Sequence, residues 1–354
     1  MGSLSQQDNE AADSIHVYSL NDAKSKEIVE HTLSILRQHL PRSLPLYRRL
    51  QFGRFFDATC LLTNVPPGSS TPTDSPWFFA FVDRSCRPET EVWLVGSWEV
   101  EDTTALHERS AVDGMVKDLV LEIKNLGLPT SIHQDVLDAK AKEIERITNG
   151  IQLSKENYGG HMSDDNIMLW GAIHERSVPV FDRLGLLTRR FVAGVTPNYA
   201  FIWDVDALPP AKELPSGLRW GKLKSEHFAL VRSRTQIPRQ DRTLAELSSV
   251  GIFTVDDNRL VSWAFVGLDA SLTTLHVEED WRGRGLAKAL TTKLFKEKMD
   301  MFWEPGMPKL AHGYVINGNK ESEMMCRSLG GRADWQVYWL RVDLVKALVR
   351  RGMD

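Results

Sequence analysis

A mixed α/β (α+β) protein of two domains is predicted from three patterns in the sequence. Short apolar runs alternate with longer amphipathic stretches, as strands alternate with helices. In the second half of the chain the strands come first, joined by short turns, and helices connect the later strands. The proline-rich stretch ALPPAKELPSG at 207–217 has no hydrophobic periodicity. We therefore expect an N-terminal α/β half at 16–206, a linker at 207–217 and a second α/β domain at 218–354.

The second domain has the clearer pattern. Helices are predicted near 225–234, 244–249, 286–299 and 321–329. Strands are predicted at GIFTVD, LVSWAFVGL, LTTLHV, LAHGYVI and WQVYWLRV. Hairpin-joined strands followed by crossover helices indicate a mixed sheet with helices packed on it.

The first half reads less regularly. A helix is predicted at 21–41, where Pro41 ends it, and two more at 111–126 and 132–148. The β-like runs FDATCLLTNV, PWFFAFVDR and EVWLVGSWEV lie between them, and short apolar runs resume over 168–204. The polar, acidic residues 1–15 are expected to be a disordered tail.

Composition excludes several classes of function. With 42% apolar and 25% charged residues and a net charge of −4, the chain reads as a soluble globular protein without a nucleic-acid partner. Neither a signal-peptide core nor a membrane-spanning apolar run is present, so no membrane association and a cytoplasmic location are expected. Cys60, Cys86 and Cys326 are too widely spaced for a zinc motif, and no metal site is predicted.

The stretch VEEDWRGRGLAKAL at 277–290 is the strongest candidate for a ligand site. It follows a predicted strand and opens a predicted helix, whose free N–H groups and dipole favour an anion. Gly283 and Gly285 allow an anion to approach the backbone closely, and Arg282 and Arg284 add charge-assisted hydrogen bonds. A tight strand–helix turn whose arginines bind nothing is the alternative.

Two nucleotide-binding motifs are excluded by spacing. The P-loop pattern GxxxxGK[ST] is absent, because the two glycines are separated by one residue. The dinucleotide pattern GxGxxG has Lys288 where its third glycine belongs, and no acidic residue follows the next strand. A pyrophosphate remains a good fit for the loop.

The neighbouring residues resemble the GNAT superfamily of N-acyltransferases. RGRGLA at 282–287 matches its acyl-CoA signature R-x-x-G-x-A, and NKESEMMCRSLGG at 319–331 resembles its second motif, N-x-x-S/A-x-x-L-Y-x-x-x-G-F. Upstream, LVSWAFVGLDASLTTLHV is similar to the glycine N-acyltransferase-like branch. The resemblance implies a GNAT fold over 218–354 and a degenerate GNAT-like half over 16–206.

The resemblance also implies a co-substrate, acetyl-CoA or another acyl-CoA, and the residues that bind it. In this family the loop amides bind the pyrophosphate, and the Val277 backbone would pair with the pantetheine arm and direct its N–H to the thioester oxygen. Asn319 would lie near the thiol, although Asn before KESE is also a good helix cap. The implied binding residues are Leu275, Val277, Arg282, Gly283, Arg284, Gly285, Leu286, Ala287, Asn319 and Ser322.

Two positions depart from the family pattern. Cys326 stands where the family has a tyrosine that protonates the departing thiolate, and Ser271 stands where glycine acyltransferases have a glutamate proposed as base. Both stay candidate catalytic residues by position. Cys326 has a lower reference pKa than tyrosine and so can donate a proton, but a buried, inert cysteine is the alternative.

The strand LTTLHV supplies the other candidates for the base that deprotonates the acceptor amine. Strict alternation places Ser271, Thr273, Leu275 and Val277 on one face and Thr274, His276 and Glu278 on the other. His276 is the preferred base because an imidazole titrates near neutral pH, and Glu278 would act through a water. The alternatives are a packed strand histidine and a solvated acidic turn.

The predicted function is direct acyl transfer from acyl-CoA to a small-molecule amine or amino acid in a ternary complex. No serine or cysteine has a paired base that indicates an acyl-enzyme. The four arginines of VRSRTQIPRQDR at 231–242 suit an acceptor carboxylate, or else form a solvated helix end. A protein N-acetyltransferase and a non-catalytic acyl-CoA-binding or regulatory module are the alternative functions.

Overall fold

The computed structural model describes residues 14–22, 25–100, 109–150, 158–191 and 195–348. The chain divides into two compact units that are interleaved in sequence: unit 1 takes 1–47, 53–196 and 338–354, and unit 2 takes 48–52 and 197–337. Most of the predicted tail at 1–15 lies outside the described residues. Within the described ranges, no helix is both long enough and apolar enough to cross a membrane.

The strands in the described residues are β1 His16–Ser19, β2 Cys60–Thr63, β3 Phe78–Val82, β4 Val92–Gly96, β5 Ile167–His174, β6 Val195–Asp204, β7 Leu218–Gly221, β8 Ser249–Thr254, β9 Leu260–Val266, β10 Ser271–Val277, β11 Leu310–Ile316 and β12 Gln336–Asp343. The α-helices there are α1 Ser25–Arg37, α2 Leu44–Phe52, α3 Ser97–Val100, α4 Arg109–Leu126, α5 Gln134–Thr148, α6 Val178–Arg183, α7 Ser225–Ser233, α8 Asp241–Glu246, α9 Leu286–Glu297 and α10 Lys320–Ser328.

Unit 1 is built on strands in the order β1-β2-β3-β4-β5-β12. Neighbours are antiparallel from β1 to β4, whereas β4 and β5 are parallel. The apolar face of α4 covers this sheet through Val116, Leu119 and Val120, which are fully buried. The strands of unit 1 therefore include one from the C-terminal part of the chain.

Unit 2 repeats this plan with strands in the order β6-β11-β10-β9-β8-β7. Neighbours are antiparallel from β7 to β10, β10 and β11 are parallel, and β6 pairs antiparallel with all of β11. On one face α9 packs through Leu286, Leu290 and Leu294. On the other face α7 and α8 cover Trp263 and Phe265. Each unit is thus a mixed sheet with helices packed on it, which confirms the predicted fold class.

The compact units differ from the predicted domains. The stretch 207–217 has neither helix nor strand, as expected, but it lies inside unit 2 between β6 and β7, with Leu208 buried in that core. The strand β6 lies in the predicted first domain but mostly in unit 2, and β12 lies in the predicted second domain but mostly in unit 1, so two of the unit boundaries fall at 196/197 and 337/338. Strand pairing over such a distance leaves no trace in local composition.

Most predicted elements of the second half are confirmed, and LAHGYVI is the whole of β11. The predicted helix at 244–249 is displaced, because α8 ends at Glu246 and Ser249 already begins β8. SWEV, predicted as strand, is the short helix α3. The sequence did not predict β1 or β7, since four-residue strands are too short to show alternation, and it did not predict the helix α2.

Candidate functional site

The parallel strands β10 and β11 of unit 2 separate after two paired positions. Their register contains Ser271↔His312 and Leu272↔Gly313. Beyond that, β10 stays paired with β9, and β11 stays paired with β6, to their ends. We call the diverging residues, 273–277 and 314–316, the unit 2 fork. An extended ligand can pair with strand backbone where neighbouring strands part.

A bulge in β10 changes which side chains face which side of the sheet. The register with β9 shifts between Thr273 and His276, and Thr274 has φ 54°, a rare conformation for a β-branched residue. The extra residue puts His276 opposite Trp263, on the α7–α8 side with Thr273.

The alternation predicted for this strand is therefore wrong beyond Thr273. Leu275 and Val277 pack with Leu272 against the α9 core, and do not share a face with Ser271. His276 instead joins Ser271 and Thr273 on the other face. Cross-strand bulges of this kind are common beside active sites, and no residue type in LTTLHV signals one.

His276 is held in a partly buried setting that keeps its imidazole neutral. Its ring stacks on Trp263 with centroids 4.7 Å apart, and its Nε2 lies 3.8 Å from Glu278 Oε2. Glu278 in turn accepts a hydrogen bond of 3.0 Å from Arg234 Nε. Burial lowers the pKa of His276, and Arg282 and Arg234 lower it further against the opposing charge of Glu278. A neutral imidazole at neutral pH can accept a proton.

The loop after β10 has the backbone geometry of an anion site. Gly283 and Gly285 have φ of 75° and 78°, and a Cβ on either would meet open space. Their positive φ is therefore what requires glycine. The Ala289 N–H donates the first backbone hydrogen bond of α9, 3.1 Å to Gly285 O. The amides of 286–288 come before this bond and have no acceptor among the described residues.

The two arginines of this loop are exposed and are anchored by single hydrogen bonds. Arg282 Nε donates to Val277 O at 3.2 Å, and Arg284 Nη2 donates to Asp280 O at 3.1 Å. The Arg284 guanidinium also lies 4.7 Å above the Trp281 ring. A guanidinium has five donors, so each side chain keeps several for an anion.

Two residues of the second motif, at 319–331, have contacts that stabilise the fold. Asn319 caps α10, because its side chain accepts a hydrogen bond of 3.1 Å from the Ser322 N–H. Cys326 is 2% exposed within the unit 2 core, and burial raises its pKa to about 12. These contacts support the capping alternative for Asn319 and the buried alternative for Cys326.

Ser271 lies in a polar cluster that the sequence did not reveal. Its Oγ donates to Asp269 Oδ1 at 2.6 Å. Asp269 Oδ2 accepts from the Tyr314 hydroxyl at 3.0 Å and lies 3.5 Å from His312 Nε2. Burial alone would raise the pKa of Asp269, but the contacts with His312 and Ser271 outweigh it and lower the pKa to about 2. Only the parallel pairing of Ser271 with His312 brings these residues together.

Among the four arginines at 231–242, Arg239 is distinct. The other three bond acidic or amide side chains: Arg232 to Asp241, Arg234 to Glu278 and Arg242 to Gln240. Arg239 is half-buried, and its Nη2 donates to Thr273 Oγ1 at 2.8 Å and its Nε to Thr274 Oγ1 at 3.4 Å. No carboxylate pairs with it among the described residues, so a guanidinium with only neutral partners lies on the bulge.

The equivalent fork in unit 1 is filled by its own side chains. Here β4 and β5 pair at Val92↔Trp170 before they separate. The Gly96 N–H, at the end of β4, donates to Glu99 Oε2 at 3.1 Å, and a Cβ on Gly96 would lie 2.5 Å from the Trp98 ring. Trp98 Nε1 donates to Ser177 Oγ at 2.7 Å. The sequence from 97 to 113 also contains no glycine, so no glycine loop follows β4.

Two models of protein families match the chain, one in each part of the sequence. The model of the acyl-CoA N-acyltransferase verG N-terminal domain matches residues 14–201 of the 354, which is more than half of the chain. The model described as FR47-like protein matches 249–340, a range that contains the unit 2 fork and the glycine loop. The sequence has no match among curated proteins.

Solved structures with similar folds cover nearly the whole chain. A Drosophila protein is 13% identical, with a TM-score of 0.57 over 92% of this chain and 98% of its own. A GCN5-related N-acetyltransferase from Sphaerobacter thermophilus is 14% identical, with a TM-score of 0.47 over 96% and 97%. A tandem GNAT protein from the clavulanic acid biosynthesis pathway is 12% identical, with a TM-score of 0.48 over 92% and 98%.

Proposed function

Because the chain belongs to the family of the acyl-CoA N-acyltransferase verG N-terminal domain and has a tandem GNAT fold, we propose that it transfers an acyl group from acyl-CoA to an amine. One observation carries this proposal. In unit 2 a strand fork leads directly into a glycine loop whose amides precede the helical ladder of α9. The same place in unit 1 is filled.

In this proposal the glycine loop binds the pyrophosphate of coenzyme A. The amides at 286–288 and the spare donors of Arg282 and Arg284 surround the phosphates. The pantetheine arm lies along the fork beside Leu275 and Val277, with Asn319 and Ser322 at the start of α10. Acetyl-CoA is the proposed donor, and the Val277 N–H is the proposed donor of a hydrogen bond to the thioester oxygen.

The reaction is proposed to be direct. The neutral amine attacks the thioester carbon, a C–N bond forms, the C–S bond breaks, and the thiolate leaves with a proton that the amine nitrogen sheds. No serine or cysteine needs to carry the acyl group, which agrees with the buried positions of Ser271 and Cys326. His276, the base predicted from the sequence, has Glu278 as its charged neighbour and is one candidate for the group that deprotonates the amine.

The proposed acceptor is an amine that also carries a carboxylate, as an amino acid does. Arg239 supports this assignment, because its half-buried guanidinium bonds two hydroxyls and the Pro238 carbonyl and keeps two of its five donors for a carboxylate. Arg239 lies on the bulge next to His276, on the same face of the sheet. A carboxylate bound there would place the acceptor on that face.

Free-thiol release measured across a panel of acceptors tests the function and the acceptor together. The panel holds amino acids, the same amino acids as amides, and peptides, each with acetyl-CoA and longer acyl-CoAs. Arg239→Gln is expected to raise KM for amino acids roughly 10- to 100-fold, since a hydrogen bond to a charged group is worth about 1.5–3 kcal/mol. It should leave KM for the amides unchanged, and the exposed Arg232→Gln is the control.

The other outcomes identify the alternatives. Turnover of peptides without turnover of amino acids would indicate a protein N-acetyltransferase. Binding of acyl-CoA without thiol release on any amine would indicate a non-catalytic acyl-CoA-binding module. Equal KM changes for amino acids and amides in Arg239→Gln would contradict the proposal that Arg239 binds the acceptor carboxylate.

A further inference from the structure

A second imidazole lies at the base of the unit 2 fork, and it is more deeply enclosed than His276. His312 is 1% exposed and belongs to the first of the two pairs that join β10 and β11. Its Nε2 lies 3.5 Å from Asp269 Oδ2, within ion-pair distance, and neither ring nitrogen has a hydrogen-bond partner among the described residues. A buried imidazole nitrogen without a partner is costly unless a ligand or a function uses it.

The surrounding groups prepare this imidazole to take up a proton. The Asp269 carboxylate is fixed by the Ser271 hydroxyl and N–H, at 2.6 and 3.2 Å, and by the Tyr314 hydroxyl at 3.0 Å. With its pKa lowered to about 2, Asp269 stays ionised at all working pH values. An ionised carboxylate beside an imidazole orients the ring and stabilises the imidazolium that forms during catalysis.

The cluster reaches from the core to the opening of the fork. Tyr314 follows His312 on the same face of β11, at the first position beyond the last β10–β11 pair, and it is partly exposed. Its ring contacts the His312 ring, with centroids 5.4 Å apart. In the described residues, the titratable side chains in contact with His312 are Asp269 and Tyr314.

We propose that His312, oriented by Asp269, accepts the proton that the acceptor ammonium loses before it attacks the thioester. This step rests on the proposed acyl transfer. The ammonium N–H bond breaks and the proton passes to His312 Nδ1, which leaves a neutral amine and an imidazolium paired with Asp269. After attack, the second proton of the nitrogen goes to the coenzyme A thiolate, and the imidazolium returns its proton to solvent.

His276 is the competing base, and its surroundings are less favourable. Its carboxylate neighbour Glu278 is 3.8 Å away and already bonds Arg234, whose charge offsets it. Arg282 and Arg234 also disfavour an imidazolium at His276. His312, in contrast, faces an ionised carboxylate that no recorded arginine or lysine neutralises in the described part of the chain.

The test compares kcat, acyl-CoA affinity and the pH profile of the intact chain for matched variants. His312→Gln is expected to lower kcat by roughly 100-fold or more, as loss of a general base does, while calorimetry shows unchanged acetyl-CoA affinity. His276→Gln is expected to lower kcat less. His133→Gln, an exposed histidine of unit 1, serves as the control.

Asp269→Asn supplies a readout that a structural role would not change. An imidazolium without its carboxylate is easier to deprotonate, so the acid limb of kcat/KM should move to lower pH. Tyr314→Phe keeps that limb and controls for loss of a hydrogen bond to the same carboxylate. An acid limb unmoved in Asp269→Asn, or a kcat that falls in His276→Gln and not in His312→Gln, would overturn the proposal.

The two levels of failure are distinguishable. Failure of the wild-type chain to bind acetyl-CoA or to release thiol contradicts the proposed function itself. Normal wild-type turnover with an unmoved acid limb contradicts only the role of His312. If His312→Gln melts far below the wild type, the Asp269→Asn pH profile decides the matter alone.

Discussion

Gly285 is the residue on which the proposed acyl-CoA site depends most. Its φ of 78° lies in the left-handed region, and it ends the loop at the first turn of α9. A side chain at this φ costs roughly 1–2 kcal/mol in backbone strain and would also occupy the space where an anion approaches the amides. Strain and blocked binding are therefore two separate effects of one substitution.

Gly285→Val is expected to abolish measurable acyl-CoA binding, and Gly306→Val provides a matched control. Gly306 belongs to the same unit, has φ 76° and also faces open space, but it lies outside the loop. Both variants should lose similar thermal stability, whereas only Gly285→Val should lose acetyl-CoA binding in calorimetry. Equal binding by the two variants would show that the loop does not hold the co-substrate.

Some residues of the site could be predicted from local sequence patterns, and others could not. The loop glycines and arginines were recognisable because their spacing is a local pattern. The bulge at Thr274 was not, and it moved His276 to the face that carries Ser271 and Thr273. Asp269 and His312 are distant in sequence, and only the register of β10 with β11 joins them.

At the scale of elements, α3 explains why the unit 1 fork is closed. SWEV continues an apolar strand in sequence, but the chain turns into a helix there. The Glu99 carboxyl accepts hydrogen bonds from Gly96 N and from the Ser177 hydroxyl. Burial raises the pKa of Glu99 to about 8, against the smaller opposing effect of these hydrogen bonds.

The raised pKa of Glu99 predicts a loss of stability at alkaline pH. The folded chain holds this proton up to about pH 8, whereas the reference value for the unfolded chain is 4.5. This contribution is full below pH 4.5 and is lost as the pH rises through 8. Glu99→Gln removes this titrating group. The melting temperature of the variant should therefore rise relative to that of the wild type as the pH increases from 5 to 8. Parallel curves for the two proteins over that range would contradict the assignment.

The strand β6 lies outside the predicted second domain but almost wholly inside unit 2. Seven positions of β11, from Leu310 to Ile316, pair with β6, and Phe201 and Trp203 are buried in the unit 2 core. A fragment that begins at the predicted boundary, residue 218, lacks β6 and its two buried aromatic side chains. Its sheet would expose the edge of β11 and a large apolar surface.

Two fragments test the importance of this strand. The fragment 195–337 keeps β6 and should melt cooperatively and give dispersed NMR signals. The fragment 218–337 should aggregate or show neither property, because loss of the strand uncovers the core. Cooperative melting of 218–337 would show that the predicted boundary, and not the compact unit, defines the folding domain.

At the scale of the whole molecule, the sequence predicted the type of fold but not its interleaving. Local periodicity located β9, β10, β11 and α9 well, because each has enough residues to show its repeat. The strands β1 and β7 were not predicted, because each has only four residues. The exchange of β6 and β12 escaped because pairing between distant strands has no local signature.

The two units have the same fold but different forks, which predicts that only one of them binds acyl-CoA. The unit 2 fork leads into a glycine loop with two arginines, whereas Trp98 and Glu99 fill the unit 1 fork. Acyl-CoA should therefore bind to one unit of the tandem.

Calorimetric titration of the intact chain with acetyl-CoA tests whether unit 2 alone binds the co-substrate. The predicted result is saturable binding of about one molecule per chain, unchanged in stoichiometry by Trp98→Ala and lost in Gly285→Val. Absence of binding by acetyl-CoA and by longer acyl-CoAs, or full binding by Gly285→Val, would contradict the assignment of the unit 2 fork and its glycine loop as the acyl-CoA site.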